Sequence, residues 1–353
     1  MGVFQITSKS AVTTPAVTDE LLIQQSAITK KTVQVFNSMN GFDAATGMAG
    51  TNLLVGRQGT DNVKITLTQL IAYLQTATWS QVGSGLNISG LNIPVMCSLN
   101  STDIAFVDEH TQDLRCYRFN GTTWSQVGSA LSFATFDGTQ LCKLNSTDIA
   151  LEYGYGGNGY LRYYRFDGST WYQVGSTLTI TGAGAVGLCQ LNSTDIAYVD
   201  GGLDELRCYR FNGSTWSQVG SALSITGNIN YPTLAKMNTT DVAFIDTTLD
   251  ELRCYRFNGS TWSQVGSGLS IAGVGFAGMD YLSDNIIVFI DSANDDLRCY
   301  RFDGSNWAEI FTELNIPNIS DGCLCALDNN TIAITDQALS ALNEELRTYR
   351  LSV

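Results

Sequence analysis

Histidine and proline are nearly missing from this chain, with one His and four Pro in 353 residues. A lone imidazole, His110, leaves no material for a Ser-His-Asp triad or a His-ligated metal centre. Positive charge is also scarce. Nineteen Lys and Arg stand against 33 Asp and Glu, a net charge of −14, which argues against nucleic acid or an anionic membrane as the main partner. No run approaches the ~18 apolar residues of a membrane span. The opening Met-Gly-Val-Phe-Gln-Ile has no apolar signal core, and Ile6 sits where myristoylation would want Ser or Thr. The expectation is a soluble protein made in the cytoplasm, without membrane insertion. With 44% hydrophobic residues and only 15% charged, the chain is globular, and its length allows two domains.

What the chain has instead is glycine and aromatics: 34 Gly, 15 Tyr, 15 Phe and six Trp. Few prolines, many glycines and many rings suit a turn-rich all-β protein. Nine cysteines would suggest disulfides, but the number is odd and most fall at one register of a repeat, as small apolar core residues do. Cys323 and Cys325 are too few to cage zinc. No metal and no other cofactor is expected.

The tryptophans reveal the repeat. Trp79, Trp124, Trp171, Trp216, Trp262 and Trp307 are separated by 45, 47, 45, 46 and 45 residues. Such a period means a solenoid or a propeller. Each unit runs through an apolar segment ending Leu-Asn-Ser-Thr-Asp, then Ile-Ala-Phe-Val-Asp, an acidic loop and Leu-Arg-Cys-Tyr-Arg-Phe. A turn then leads into Trp-Ser-Gln-Val-Gly-Ser. Asn-Gly at 120–121, 212–213 and 258–259 and Asp-Gly at 167–168 and 303–304 are tight-hairpin signals, because both residues tolerate positive φ. Helical periodicity is absent from 78–353, and four short strands per 46 residues describe a propeller blade.

The ends settle the count. Leu-Arg-x-Tyr-Arg occurs six times, at Leu114, Leu161, Leu206, Leu252, Leu297 and Leu346. The region opens with a fourth strand lacking its first three and closes with a third strand lacking its fourth. The sequence therefore predicts an all-β, six-bladed β-propeller of four-stranded blades over 78–353, closed by pairing 78–83 with 346–351 so that no edge is left open.

Twelve of the 13 Arg lie in these third strands, in two rows. Asp108, Asp200, Asp246, Asp291 and Asp336 end the preceding strands. A hairpin loop of about six residues would set Asp108 opposite Arg115. This predicts repeated structural ion pairs: Asp108 with Arg115, Asp200 with Arg207, Asp246 with Arg253, Asp291 with Arg298 and Asp336 with Arg347. The alternative is a ring of Arg offered to a ligand between blades. The Tyr and Trp seven apart in each repeat, such as Tyr117 and Trp124, should wedge adjacent blades apart.

Departures from the repeat say more about function, since recognition needs an asymmetric set of groups on a rigid frame. Blade two has Tyr153 in place of the second-strand Asp and continues Gly154-Tyr155-Gly156-Gly157-Asn158-Gly159-Tyr160. This uncharged loop with aromatics on glycine hinges suits stacking on sugar rings. Tyr153, Tyr155, Asn158 and Tyr160 are the candidate receptor-binding or glycan-binding residues. The other loops between second and third strands are acidic, which gives one rim a negative charge.

The Tyr-x6-Trp spacing resembles the kelch repeat, although Val107-Asp108 and Ile245-Asp246 replace its double glycine. Gly168-Ser169-Thr170-Trp171 echoes the end of the sialidase Asp box. Arg-x-Tyr, a turn and Trp are similar to fungal fucose-binding propeller lectins.

The first 77 residues carry no repeat. Residues 1–49 read as an extended, linker-rich segment. In 50–77, Leu53-Leu54-Val55 and Val63-Lys64-Ile65 flank a turn and form a hairpin. Thr66 or Thr68 can cap a short helix with Leu67, Leu70, Ile71 and Leu74 on one face. A hairpin and short helix ahead of a repetitive β domain resemble the particle-proximal part of bacteriophage tail-fibre and spike proteins. That resemblance implies a virion-surface subunit made in the host cytoplasm. Residues 1–77 would contact other virion proteins, and the propeller a host-surface glycan or protein receptor. It also implies a homo-oligomer, a trimer by the fibre analogy. The expected function is therefore attachment rather than catalysis. The competing expectations are a structural virion scaffold and a sialidase-like glycosidase.

Overall fold

The computed structural model describes residues 78–352 apart from 135–136, 226–228, 230–231, 247–249, 272–274, 276–277, 284, 311–313, 317–318, 320–321 and 337–344; in the first 77 residues it describes four strands. Those four strands, Gln5–Ile6, Leu22–Gln25, Leu53–Gln58 and Asp61–Thr66, form one sheet in chain order. The last two make the expected hairpin, with Leu53 across from Thr66 and Gln58 across from Asp61. Leu22–Gln25 adds to it in parallel, inside the segment expected to be extended linker. The helix expected after Thr66 lies outside the described residues.

From Thr78 onward the chain is a six-bladed propeller, with no helix among the described residues. Blade two shows the plan: Asp137–Lys143 innermost, then Asp148–Tyr155, Phe166 ending the third strand that starts at Asn158, and Trp171–Thr181 outermost. Blades one, three, four and five follow the same meander. Blade six takes its three inner strands from the C-terminal end, Leu324–Asp328, Thr331–Asp336 and Glu345–Ser352, and its outer strand from Thr78–Gln81. Val82 N–H donates to the Thr348 carbonyl at 2.8 Å and Leu86 pairs with Leu346, so the ring closes where the sequence predicts.

The residue pattern explains the layering. Second strands such as Asp103–Asp108 and Asp195–Asp200 are buried throughout, because a blade in mid-ring has neighbours on both faces, and β-branched and aromatic residues fill them. Outer strands such as Trp216–Ser224 turn Trp, Val and Leu inward and leave Ser and Gln in solvent. Five of the six Trp pack on the Phe that ends the third strand, with ring centroids 4.8–5.2 Å apart, and Leu351 takes the place of Phe beside Trp79. The indole also reaches across the junction: Trp124 clusters with Cys325 and Leu346 of blade six, and its indole N–H donates to Thr348 Oγ1 at 2.9 Å. Burying one such ring is worth about 5 kcal/mol on area alone. All nine cysteines are buried free thiols.

Adjacent blades are also tied by backbone. In the outer strands, Gly83, Gly128, Gly175, Gly220 and Gly266 all have φ near +70°, and a Cβ there would lie 2.1–2.2 Å from a turn carbonyl of the next blade. The residue after each glycine donates its N–H to that same carbonyl at 2.7–2.8 Å, as Ser129 does to Ser169 and Ser176 to Ser214. Only glycine allows this approach.

Candidate ligand-binding face

The two arginine rows have different surroundings. Four of the six outer-row arginines are clamped, whereas Arg301 and Arg350 lie across from Ile286 and Thr331. Arg118, Arg165, Arg210 and Arg256 each hold the Asp that opens the second strand (Asp103, Asp148, Asp195 and Asp241) through paired Nε and Nη2 bonds of 2.6–2.8 Å. The register places each Asp directly across from its Arg. The same Asp closes the Leu-Asn-Ser-Thr-Asp turn, in which Asn100 Oδ1 accepts from Thr102 and Asp103 N–H at 2.9 Å. Burial raises the pKa of Asp148, but Arg165, the Tyr163 hydroxyl and Asn145 outweigh it and hold the carboxyl at about 2. No local spacing marks these aspartates as partners, because they lie a whole hairpin away from their Arg in the chain. The fifteen-residue spacing that recurs from Asp103 to Arg118 and from Asp195 to Arg210 was the available signal.

The inner row lies on the face with the second-to-third-strand turns. In blades one, three, four and five these turns are four residues long rather than six, so Asp108 faces Asp113, and Arg115 faces Phe106. Arg115 pairs with Asp113 at 3.0 Å, while Asp108 caps its turn by accepting N–H bonds from Asn92, His110 and Thr111. Asp200 accepts from Gly184 and Gly202 N–H and stands 3.8 Å from Arg207; Asp291 stands 3.4 Å from Arg298. The side chains of Asp246 and Asp336 lie outside the described residues. The closer partner is the acid two positions before the Arg. Glu205 takes Nε and Nη2 of Arg207 at 2.9 and 2.6 Å, Glu251 does likewise for Arg253, and Glu345 takes Nε of Arg347 at 2.9 Å. Arg298 uses Glu309 instead, at 3.1 Å. Nη1 then reaches the tyrosine hydroxyl two positions on, as from Arg207 to Tyr209 at 3.3 Å. The rim acids have conformational duties too: Asp204, Asp250 and Asp295 sit at φ of +49° to +58°, which Asp tolerates better than most residues.

Blade two breaks the pattern at this face. Its hairpin runs on to Tyr155 and turns through Gly156 and Gly157, with φ of +60° and +77°, the geometry of a two-residue hairpin loop. Tyr153 and Tyr160 face each other across the hairpin and stack at 5.3 Å, with Phe133 of blade one against Tyr153 at 6.3 Å. Tyr153 is buried, Tyr160 and Asn158 are half-buried, and Tyr155 at the tip is 56% exposed. The structure thus brings Tyr153 and Tyr160 together and leaves Tyr155 projecting. Arg162 lies over the Tyr153 ring at 4.8 Å, and its Nη1 donates to Tyr164 at 3.1 Å.

Four large apolar side chains are exposed among the described residues: Ile93, Tyr155, Tyr172 and Leu203. Ile93 precedes the inner strand of blade one, Tyr155 tips the blade-two hairpin and Leu203 lies in the blade-three turn. All three are on the face of the second-to-third-strand turns.

On the opposite face of the blade-two sheet, the repeat's Val or Ile becomes Glu152, which is buried and directed at blade three. Burial first, then the nearby Asp200 charge, pushes its pKa up to about 8. The hydroxyl of Tyr198, where blades one, four and five have Phe, is buried in the same junction without a hydrogen bond.

The ring axis holds a cavity of about 190 Å³ lined by inner-strand residues including Lys143, Gln190, Lys236 and Asp280. These groups are mostly engaged in linking blades. Gln190 Nε2 donates to the Leu144 carbonyl at 2.6 Å, Lys236 Nζ to Gln190 Oε1 at 3.1 Å and Ala326 N–H to Asp280 at 2.8 Å. Burial pushes Asp280 up to about 6 despite those bonds. No group of three or more His, Cys, Asp or Glu suited to a metal occurs among the described residues.

No protein-family model matches the chain, and no curated protein matches it. Solved structures do. A Bacteroides thetaiotaomicron protein of unknown function has a TM-score of 0.55 at 11% identity, over 86% of this chain and 82% of that one. The PQQ-bound aldose sugar dehydrogenase of Streptomyces coelicolor has a TM-score of 0.51 at 9% identity, covering 78% and 99%. A six-bladed fucose-recognising lectin of Aleuria aurantia has 0.44 at 14% identity, covering 61% and 76%. At such identities the likeness concerns the fold alone. A likeness in fold leaves the choice between binding and catalysis to the site.

Proposed function

We propose that this protein is a non-enzymatic attachment subunit whose propeller binds glycan through the face of the second-to-third-strand turns, centred on blade two. The observation that carries the reading is the grouping there of Ile93, Tyr155 and Leu203, with Tyr155 raised on a glycine-hinged hairpin beside the Tyr153–Tyr160 stack. An exposed tyrosine combines an apolar ring for the C–H face of a sugar with a hydroxyl for its oxygens. A rigid ring presents these groups at no ordering cost. Catalysis, by contrast, would need a reactive centre, and four of the six outer-row Arg are committed to their own Asp while Arg350 bonds the Thr331 hydroxyl.

In this reading residues 1–77 join the propeller to a larger particle. The layout's resemblance to tail-fibre and spike proteins supports a virion surface, with copies of the chain assembling so that weak contacts sum to useful avidity. The deciding experiment applies the full chain to a glycan array and assays it with fluorogenic glycosides. Retention of a defined set of glycans without turnover is the expected result. Turnover, or no retained glycan and no cell binding, would overturn the proposal.

A further inference from the structure

The inner-row arginines differ in one respect that bears on what blade two binds. In blades one, three, four and six the acid two positions before the Arg neutralises it: Asp113, Glu205, Glu251 and Glu345. Blade five supplies Glu309 and Asp291 instead. In blade two both acid positions are tyrosine, Tyr153 in place of the second-strand Asp and Tyr160 in place of the Glu. Among the described residues no carboxylate is within ion-pair distance of Arg162, and its buried Nε has no hydrogen-bond partner. Only Nη1 is engaged, by the Tyr164 hydroxyl, as Arg207 Nη1 is by Tyr209. The edge left over, Nε and Nη2, is the one that Glu205 occupies on Arg207 at 2.9 and 2.6 Å.

A half-buried guanidinium without a counter-ion is costly, and the Tyr153 ring face compensates only partly. The neighbouring loop from Tyr153 to Tyr160 contains no charge, whereas the matching turns of the other blades are acidic. We infer that the Nε/Nη2 edge of Arg162 receives the carboxylate of an acidic sugar, a uronic or sialic acid residue, whose ring packs against the tyrosines of the blade-two hairpin. The inference rests on the glycan-binding reading and narrows it. Arg suits this role because its planar fork bonds a carboxylate at two points. The acidic turns on the rest of the rim, only partly screened over the ~8 Å Debye length of physiological salt, disfavour a long polyanion and favour an isolated acidic residue.

The test measures binding of glucuronic acid and of glucose, its neutral counterpart, to the full chain by ligand-observed NMR. Glucuronate should bind about tenfold or more tightly than glucose. Arg162→Gln should erase that preference. Tyr160→Glu should erase it as well by restoring the acid of the other blades, and it keeps the fold because the repeat already accommodates Glu there. Equal binding of the two sugars, undetectable glucuronate binding, or a preference that survives Tyr160→Glu would overturn the assignment. If the array retains only neutral glycans, the general glycan reading stands and this narrower one falls. If it retains none, both fall.

Discussion

The two faces of the ring grow from the same repeat and differ in what each allows. On the face of the third-to-fourth-strand turns, five junctions repeat one contact almost unchanged, a left-handed glycine under a turn carbonyl and an N–H bond of 2.7–2.8 Å. The sixth junction explains the rule. At the position of that glycine blade five has Phe311, and the blade it faces takes its fourth strand from Thr78–Gln81, so no third-to-fourth-strand turn stands there. The glycine is kept where a carbonyl must be met. On the other face no such docking repeats from blade to blade among the described residues, and there the turns change length and charge and expose Ile93, Tyr155 and Leu203. The repeat is rigid where blades interlock and variable where a ligand has access, as expected for a scaffold carrying a site.

The sharpest way to break this contrast is to add one methyl group on each face. Gly220→Ala puts a Cβ 2.1 Å from the Ser260 carbonyl at φ +70°, and should lower stability by about 3 kcal/mol or more. Gly157→Ala has a similar φ of +77° but nothing within 4 Å, so only the backbone penalty of about 1 kcal/mol remains. Urea denaturation midpoints compare the two. Equal losses would mean that the interlock carries no special weight.

Next in size is Glu152→Val, which restores the repeat's apolar residue at the blade-two/blade-three junction. With a folded pKa of about 8 against an ordinary 4.5, the native state holds a proton that the unfolded chain has released. The native chain therefore loses stability as pH rises from about 4.5 through 8. The full shift corresponds to about 5 kcal/mol, and relaxation and water entry around the ionised carboxylate bring the expected gain of the variant at pH 9 to about 2–3 kcal/mol, with little difference at pH 4.5. Denaturation curves at both pH values test this, and a gain independent of pH would show that packing, not ionisation, governs the site.

Asp148→Asn probes the clamped row with a smaller effect. Its carboxyl is held at about 2, below the ordinary 3.8, so its contribution is complete above about pH 4 and disappears as pH falls through 2. Arg165 is half exposed, and solvent screening brings the expected loss at pH 7 to about 1 kcal/mol. The variant should also lose less stability between pH 4 and 2 than the native chain, read by thermal unfolding.

The ring and its closure could be read in the sequence because a propeller is nearly one-dimensional: period, turn residues and the two incomplete blades suffice. Side-chain pairing was harder. Whether Arg115 meets Asp108 or Asp113 depends on a turn two residues shorter than expected, and the clamp from Arg118 to Asp103 depends on the register that this turn sets. Tyr155 and Tyr160 stood out as departures from the repeat. The significance of Arg162 did not, since an arginine present in every blade looks ordinary until its missing acid is noticed. Glu152 and Tyr198 are likewise visible as substitutions, but their convergence on one junction depends on which sheet face each occupies.

The smallest effect on stability should come from the change with the largest effect on binding. Tyr155 is 56% exposed at the tip of a hairpin whose turn rests on Gly156 and Gly157, so its ring supports little of the blade. Tyr155→Ala should change the denaturation midpoint by no more than about 0.5 kcal/mol equivalent, as exposed substitutions do. If the blade-two face recognises sugar by stacking, the same variant should lose glycan retention and cell binding. Unchanged retention would move the site away from this hairpin, and a large loss of stability would mean that the tip is part of the frame rather than a group held out to a ligand.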